Sequence, residues 1–225
     1  MTINMKKIAA ERAVDEYVKD GMNVGLGTGS TAFYAIHRVG ELVADGMDLT
    51  CVATSEETEK IAKDLGIRVV NLSEVNNLDV TIDGADEVTR QLHLIKGLGG
   101  ALVREKIVAA SSIDQIIIVD ESKLVESLGK ECPLPVEVMV FGHEKTKRMI
   151  ERQGCRAALR MRDGEPFMTD NRNYIYDCKF DGIANPYFLE SRLDTIPGVV
   201  ENGLFLNMTT AAFVARSDGT VEKIC

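Results

Sequence analysis

Apolar residues in the first part of the chain follow two spacings, one typical of buried strands and one typical of amphipathic helices. A helical period places Ile8, Val14 and Val18 on one face, and the apolar run "MNVGLG" follows it as a buried strand. A second helical period covers 30–45, directly after the glycine loop "GLGTGST". A strand, a glycine loop and a helix in this order predict a βα unit.

The same alternation returns three more times before residue 129. The strand-like runs are "LTCVAT", "LDVTID" and "DQIIIVD", and the helical segments after them are "SEETEKIAKDLG", "ALVREKIVAASSI" and "ESKLVESLG". Strands that alternate with helices predict a parallel sheet covered by helices on both faces. We therefore expect an α/β fold with a doubly wound parallel sheet.

The pattern changes after Gly129. "CPLPVEVMVFG" is an alternating strand, "EKTKRMIERQGC" is helical, 156–180 predicts a β-hairpin with polar turns, and "NPYFLESRLDTIPGV" holds another helix. This order predicts a small, ferredoxin-like α+β domain over 130–203. The tail, 204–225, predicts short strands around an Asp-Gly turn, which return to a large domain formed with 1–129.

Composition narrows the classes of function. The net charge is −9 and no basic run is present, so binding to nucleic acid is not expected. The five cysteines are widely spaced and never form a C-x-x-C pair, which predicts reduced, structural thiols and no metal site. The amphipathic, partly acidic N-terminus is neither a signal peptide nor a membrane span, so we expect a cytoplasmic protein with no membrane partner.

The glycine loop predicts an anion site. Between a strand and a helix, its backbone N–H groups and the helix dipole face the carboxyl end of the sheet. Ser30 replaces the third glycine of the dinucleotide fingerprint, and no lysine follows the last glycine as in a Walker A loop. The hydroxyls of Thr28, Ser30 and Thr31 add donors that suit a phosphate. The alternative is a plain tight turn with Ser30 as the helix N-cap. The lysines available to strengthen a phosphate site are Lys7, Lys96 and Lys123.

Three carboxylates crowd around a glycine in "IDGADE", where a strand ends. Asp83 and Asp86 are also explained as turn formers or helix caps, and Glu87 as a structural charge. The loop "KGLGG" at 96–100 and Glu105, in the next helix, are expected to meet the aspartates at one edge of the sheet. Acids and a lysine without a nucleophilic triad suit proton transfer on a small polyhydroxylated phosphate.

Seven longer sequence motifs resemble those of a known family. "GLGTGST", "TIDGADEV", "KGLGGALVREKI", "DESKLVESLG", "PLPVEV", "TDNRNYI" and "IPGVVENGLF" occur in this order over nearly the whole chain. Together they resemble ribose-5-phosphate isomerase of the type A family. The resemblance implies a Rossmann-like large domain, a small α+β domain that takes part in oligomerisation, a homodimer or homotetramer, and no metal or organic cofactor. The implied reaction interconverts ribose 5-phosphate and ribulose 5-phosphate in the non-oxidative pentose phosphate pathway.

The resemblance also implies roles for single residues. Glu105 would be the base that moves a proton between C2 and C1 through a cis-enediolate. Asp83 and Asp86 would hold the sugar hydroxyls and assist ring opening, with Asp83 counted among the catalytic residues. Lys96, also catalytic, would stabilise the developing enediolate oxygen. The implied substrate contacts are Lys7, Thr28, Gly29, Ser30, Thr31, Asp83, Gly84, Ala85, Asp86, Lys96, Gly97, Leu98, Gly99 and Lys123.

The sequence departs from the family motifs at two positions, and two other functions are considered beside the isomerase. Leu98 and Arg172 stand where the family often has glycine, which puts the backbone geometry there in question. A non-catalytic sugar-phosphate sensor is one alternative, but such sensors carry an N-terminal helix-turn-helix and only one helix precedes the first strand here. A nucleotide-dependent oxidoreductase is the other, and the broken fingerprint at Ser30 disfavours it.

Overall fold

The structure is a computed structural model of the 225-residue chain, and it describes residues 3–225. The chain forms two compact units. The first unit comprises the chain up to Ala85, Arg104–Leu124 and Asn207–Cys225, and the second comprises Asp86–Val103 and Val125–Leu206. Across residues 3–225, no helix combines the length and the apolar character needed to cross a membrane.

Within the described residues there are six α-helices. They are α1 (Met5–Tyr17), α2 (Ala32–Ala44), α3 (Glu56–Asp64), α4 (Leu102–Ala110), α5 (His143–Glu151) and α6 (Pro186–Asp194). The strands in the same part of the chain are β1 (Asn23–Leu26), β2 (Thr50–Ala53), β3 (Leu78–Asp83), β4 (Glu87–Val88), β5 (Leu94–Ile95), β6 (Ser112–Asp120), β7 (Leu134–Val138), β8 (Arg156–Leu159), β9 (Met161–Arg162), β10 (Glu165–Pro166), β11 (Tyr174–Lys179), β12 (Val199–Asn202), β13 (Leu204–Phe205), β14 (Ala211–Ala215) and β15 (Val221–Ile224).

The first unit contains a six-stranded sheet in the order β15-β14-β6-β3-β1-β2. All neighbouring pairs are parallel except β14 with β15. Leu26 and Ile82 pack with Ile36 of α2 in one core cluster, whereas Val108 of α4 packs with Val52 in a separate cluster. The predicted α/β class, with a mostly parallel sheet, is confirmed.

The second unit contains a four-stranded antiparallel sheet in the order β12-β7-β11-β8. Helix α5 connects β7 to β8 and α6 connects β11 to β12, which is a β-α-β-β-α-β succession of the ferredoxin-like kind. Its core packs Val136, Ile150, Tyr176 and Leu193 together. A small three-stranded sheet, β13-β5-β4, belongs to the same unit.

One predicted helix is wrong. The segment "ESKLVESLG" forms only a 3-10 turn at Glu121–Lys123, before which the Asp120 carboxylate accepts the Ser122 N–H at 3.0 Å. The chain then leaves the helical path, because the Val125 N–H donates to the Val88 carbonyl at 2.8 Å. A bond to a distant strand therefore overrides the local apolar spacing.

The cysteines are free thiols, as the sequence predicts. Cys51, Cys155 and Cys178 are buried, Cys132 is partly exposed and Cys225 is exposed. Burial raises the pKa of the Cys51 thiol to about 12. A thiol that stays protonated behaves as a small apolar side chain, so Cys51 is a core residue.

Candidate active site

The residues expected to act on a substrate are divided between the two compact units. The first unit holds Lys7, the loop Thr28–Thr31, Asp83, Gly84, Ala85, Glu105 and Lys123, and the second holds Asp86 and the loop Lys96–Gly99.

The glycine loop of the first unit leads from β1 into α2. Gly29 has a φ of +108°, which glycine adopts without strain, and its carbonyl accepts the Phe33 N–H at 2.9 Å. The N-cap of α2 is Thr31 and not Ser30, and Thr31 makes no side-chain capping bond. The Ser30 hydroxyl is therefore not used as a helix cap.

Thr28 anchors this loop to the segment after β2. Its Oγ1 lies 2.7 Å from Thr54 Oγ1 and 2.9 Å from Ser55 Oγ. It also lies 3.1 Å from Thr58 Oγ1, and Thr58 Oγ1 donates to the Gly27 carbonyl at 2.9 Å. The Thr28 hydroxyl is thus engaged inside the unit, so Ser30 and Thr31 supply the loop's remaining hydroxyls. Nothing in the spacing of "TSEET" marks these supporting hydroxyls as partners of Thr28.

Asp83 ends β3 as a fully buried carboxylate. Its Oδ1 accepts the Thr28 N–H at 3.1 Å and the Gly84 N–H at 2.7 Å. A Cβ at Gly27 would lie 2.1 Å from Oδ1, so only glycine permits this contact. Gly84 and Ala85, which follow, are partly exposed. Peptide N–H donors hold the charge of Asp83 in a buried position and fix its direction.

Glu105 lies in the first turn of α4 and is 5% exposed. One turn later, Val108 packs against β1, since a Cβ at Gly25 would lie 2.9 Å from a Val108 methyl. Residues three apart share a helix face, so Glu105 also faces the sheet. Three helical residues rise about 4.5 Å and two strand residues span about 6.6 Å. Helix α4 connects β3 to the parallel strand β6, so it must run back antiparallel to the strands. We infer that Glu105 reaches the level of Gly27 and of Asp83 beside it.

Three lysines of the first unit differ in what they contact. Lys7 Nζ lies 3.5 Å from Glu11, and the Lys7 side chain is 54% exposed. The neighbouring Lys6 donates from Nζ to Ser30 Oγ at 2.8 Å. Lys123 ends the 3-10 turn after β6 and is partly exposed. Lys6 thus contacts the glycine loop, and the sequence prediction, which named its neighbour Lys7, did not include it.

Asp86 ties the start of β4 to the second glycine loop. Its N–H donates to the Ile95 carbonyl at 2.8 Å, and its Oδ2 accepts the Leu98 N–H at 2.9 Å. The loop turns at Gly97 and Gly100, whose φ values are +109° and +90°. Leu98 is not in the left-handed region, and its side chain is 40% exposed. Leucine at this position therefore introduces no backbone strain.

Lys96 is buried, with 2% of its surface exposed. Its N–H donates to the Gly203 carbonyl at 2.9 Å, and its Nζ lies 5.4 Å from the centroid of the Phe205 ring. An ammonium group in such a position is costly to desolvate and interacts strongly with nearby negative charge. Lys96 is therefore suited to stabilising an anion.

Glu87 has a structural role, as the sequence interpretation held. Its buried carboxylate accepts N–H groups from Gly129 at 2.6 Å, Glu131 at 2.9 Å and Cys132 at 2.8 Å. These bonds fasten β4 to the loop before β7.

The available chemistry is that of carboxylates, lysines, hydroxyls and peptide N–H donors. In residues 3–225, no group of three or more His, Cys, Asp or Glu side chains is placed to hold a metal ion. Buried carboxylates can transfer protons, and lysines with peptide N–H groups can stabilise oxyanions.

Comparison with known proteins identifies the family. The family model of ribose 5-phosphate isomerase A (phosphoriboisomerase A) matches residues 50–219, more than half of the chain. The chain belongs to this family. The ribose-5-phosphate isomerase A of Bacillus mycoides (strain KBAB4) is 49% identical over 221 residues, which cover 98% of this chain and 99% of that protein.

Solved isomerases of the family share the fold over their whole length. Ribose 5-phosphate isomerase from Plasmodium falciparum matches with a TM-score of 0.95 and 46% identity, covering 97% of each chain. A D-ribose-5-phosphate isomerase in complex with phospho-erythronic acid also matches with a TM-score of 0.95, at 40% identity, covering 99% of this chain and 98% of the other. The predicted resemblance is confirmed. This protein is an aldose–ketose isomerase that interconverts ribose 5-phosphate and ribulose 5-phosphate. The sensor and oxidoreductase alternatives are not supported.

Proposed function

We propose that Glu105 is the base of this isomerisation. Its carboxylate takes the proton from C2 of ring-opened ribose 5-phosphate, and the electrons move towards the C1 carbonyl to form a cis-enediolate. The hydroxyl proton of O2 passes to O1, and the carboxyl of Glu105 returns its proton to C1 as C2 becomes the ketone of ribulose 5-phosphate. The observation that carries the proposal is the burial of Glu105 on the face of α4 that packs on the sheet, one turn before Val108. A carboxylate in that position is shielded from bulk water, which favours controlled proton transfer.

Asp83, Asp86 and Lys96 are assigned to the sugar. Asp83 has its direction fixed by two peptide N–H groups, which supports the role of an acceptor for a substrate hydroxyl during ring opening. Asp86 is directed by the Leu98 N–H and is proposed to accept another hydroxyl. Lys96 is proposed to stabilise the enediolate oxygen, because a cation gains most where water is excluded. The loop residues Gly84, Ala85, Gly97, Leu98 and Gly99 are proposed to line the same sugar.

The phosphate is assigned to the glycine loop and nearby lysines. The N-terminus of α2 stabilises an anion by only about 0.3–2 kcal/mol, whereas a lysine at ~4 Å contributes about 4 kcal/mol at a surface-like dielectric. Gly29, Ser30 and Thr31 are proposed to bind the phosphate at the N-terminus of α2. The stronger contribution, that of lysine, is assigned to Lys7, Lys123 and Lys6. Of these, Lys6 hydrogen-bonds to Ser30. A solved relative binds phospho-erythronic acid, a phosphorylated hydroxy acid, which supports this ligand class.

The variant Glu105→Gln tests the base assignment. Glutamine keeps the size of the side chain but cannot accept the C2 proton, so kcat should fall by about 10²- to 10⁴-fold. Ribose 5-phosphate should still bind, measured by titration calorimetry. The control is Glu126→Gln, which removes a charge from an exposed loop and should leave turnover unchanged. Near wild-type turnover of Glu105→Gln would show that Glu105 is not the base.

We also propose a homodimer or homotetramer assembled through the second unit. Phe141 is 92% exposed and Met139 is 54% exposed, and the Met139 N–H donates to Gly198 O at 2.9 Å, near Val200, another exposed apolar residue. Exposed apolar clusters of this kind mark contact surfaces. Light scattering of the wild type should give a mass above one chain, and Phe141→Asp should lower it. A wild-type monomer at micromolar concentration would contradict the proposal.

A further inference from the structure

Arg160 is a partly buried arginine between β8 and β9 of the second unit, with 12% of its side chain exposed. Its Nε donates to Asp177 Oδ2 at 3.0 Å and its Nη2 to Asp177 Oδ1 at 2.5 Å. This bidentate pairing is the geometry in which an arginine and a carboxylate bind most strongly and with fixed orientation. Asp177 therefore fixes the orientation of the guanidinium, and with it the direction of the third nitrogen, Nη1.

That third nitrogen contacts the second glycine loop. Arg160 Nη1 donates to the Gly97 carbonyl at 2.9 Å and to the Leu98 carbonyl at 3.0 Å. One cation thus fixes two consecutive peptide groups. The same loop is the one assigned above to the sugar.

The direction of these carbonyls determines the direction of two N–H groups. A trans peptide is planar, so its N–H points away from its C=O. With the Gly97 and Leu98 carbonyls directed at Arg160, the N–H groups of Leu98 and Gly99 point to the opposite side. The Leu98 N–H indeed meets Asp86 Oδ2 there, at 2.9 Å. The Gly99 N–H is presented on the same side as Asp86.

The surrounding contacts keep Arg160 and the loop together. The Phe167 N–H donates to the Arg160 carbonyl at 2.9 Å, and the Phe167 ring lies 5.9 Å below the guanidinium. A Cβ at Gly100 would lie 2.5 Å from that ring, so glycine lets the loop sit directly against Phe167. The loop is therefore held by packing as well as by the guanidinium.

We propose that Arg160, oriented by Asp177, is a positioning residue for the isomerisation. By holding the two carbonyls, it keeps Asp86 bonded to Leu98 and presents the Gly99 N–H to the substrate oxygen that gains negative charge as the enediolate forms. A cation bonded to the carbonyl side of a peptide also polarises its N–H and makes it a better donor. Preoriented donors of this kind stabilise charge that develops in the transition state. This inference rests on the proposed function of the 96–99 loop.

The test compares Arg160→Met with Arg162→Met. Arg162 stacks on the same Phe167 ring, with its Cζ 4.3 Å from the centroid, but is exposed and makes no hydrogen bond to the loop among residues 3–225. Removing Arg160 should lower kcat by about 10²-fold, the usual effect of a misplaced or lost oxyanion donor. KM should change by less than about threefold, because the interaction belongs to the transition state. Arg162→Met should keep both constants.

Two further measurements separate positioning from plain stability. Arg160→Lys can reach one carbonyl and should recover part of the lost kcat, whereas Asp177→Asn, which loosens the aim of the guanidinium, should lose about tenfold. Hydrogen exchange of the 96–100 segment, followed by mass spectrometry, should accelerate in Arg160→Met and not in Arg162→Met. Wild-type kcat per folded molecule in Arg160→Met, a raised KM at unchanged kcat, or unchanged loop exchange would each overturn the inference. Wild-type kcat and KM in Lys96→Met would instead contradict the proposed function of the 96–99 loop.

Discussion

Arg172 holds a backbone conformation that side-chain-bearing residues rarely adopt, with a φ of 64°. It closes a turn in which its N–H donates to the Thr169 carbonyl at 2.9 Å. Asn173, the next residue, donates from its side chain to the buried Glu137 at 2.9 Å. The bonds of its neighbours thus fix the turn, and they hold Arg172 in the left-handed conformation. Of the two positions where the family often has glycine, Leu98 carries no such strain.

Arg172→Gly should therefore stabilise the protein. The left-handed conformation costs a non-glycine residue about 1–2 kcal/mol, and the larger entropy of glycine in the unfolded chain offsets about 0.5–1 kcal/mol of the gain. We expect the free energy of unfolding in urea to rise by about 0.5–1 kcal/mol. Leu98→Gly is the matched comparison and should lower it, because no strain is relieved there. A loss of stability in both variants would show that Arg172 is not strained.

At the scale of elements, β4 depends on a carboxylate that bonds to a distant loop. Glu87 belongs to a strand of two residues, too short to be stable through its own ladder. Its three bonds to peptide N–H groups between Gly129 and Cys132 supply the missing attachment. The conspicuous run of acids in "IDGADE" therefore divides into two aspartates proposed for the sugar and one glutamate that organises structure.

Glu87→Gln tests this attachment. Glutamine retains one carbonyl oxygen but loses the charge, and its amide group adds donors where the loop offers N–H donors. Bonds to charged groups contribute about 1.5–3 kcal/mol each, so we expect the free energy of unfolding to fall by about 2–3 kcal/mol. The measurement is thermal or urea unfolding, with the exposed Glu126→Gln as control. Equal stability of the two variants would show that the Glu87 bonds contribute nothing.

Elements determined by residues close together in the sequence were predictable. Elements determined by bonds between residues far apart in the sequence were not. The spacing of Ile36, Val39 and Leu42 in α2, for example, is a property of a short window and predicted the helix correctly. Leu124 and Leu128 have a helical spacing too, yet the chain there makes only a 3-10 turn. The bond from Val125 to Val88 decides that outcome, and no local pattern contains it.

At the scale of the whole molecule, long-range pairing accounts for most of what the sequence did not predict. Residues 86–103 join the second unit, where β5 pairs with β13 through Leu94 with Phe205 and Ile95 with Leu204. The proposed roles of Asp83, Asp86 and Glu105 were found from motifs. The proposed role of Arg160 was not, because the loop groups that it contacts are backbone carbonyls, which any sequence would supply.

The central claim is that Glu105 transfers the proton between C2 and C1, and isotope incorporation tests it most directly. Ribose 5-phosphate is converted in D₂O, and deuterium at C1 of the ribulose 5-phosphate is measured by mass spectrometry. A proton held on a carboxyl group exchanges with solvent before it returns to carbon, so the wild-type product should carry deuterium at C1. Glu105→Gln should form product, labelled or unlabelled, at a rate about 10²- to 10⁴-fold below that of the wild type. Labelled product formed by Glu105→Gln at the wild-type rate would contradict the account.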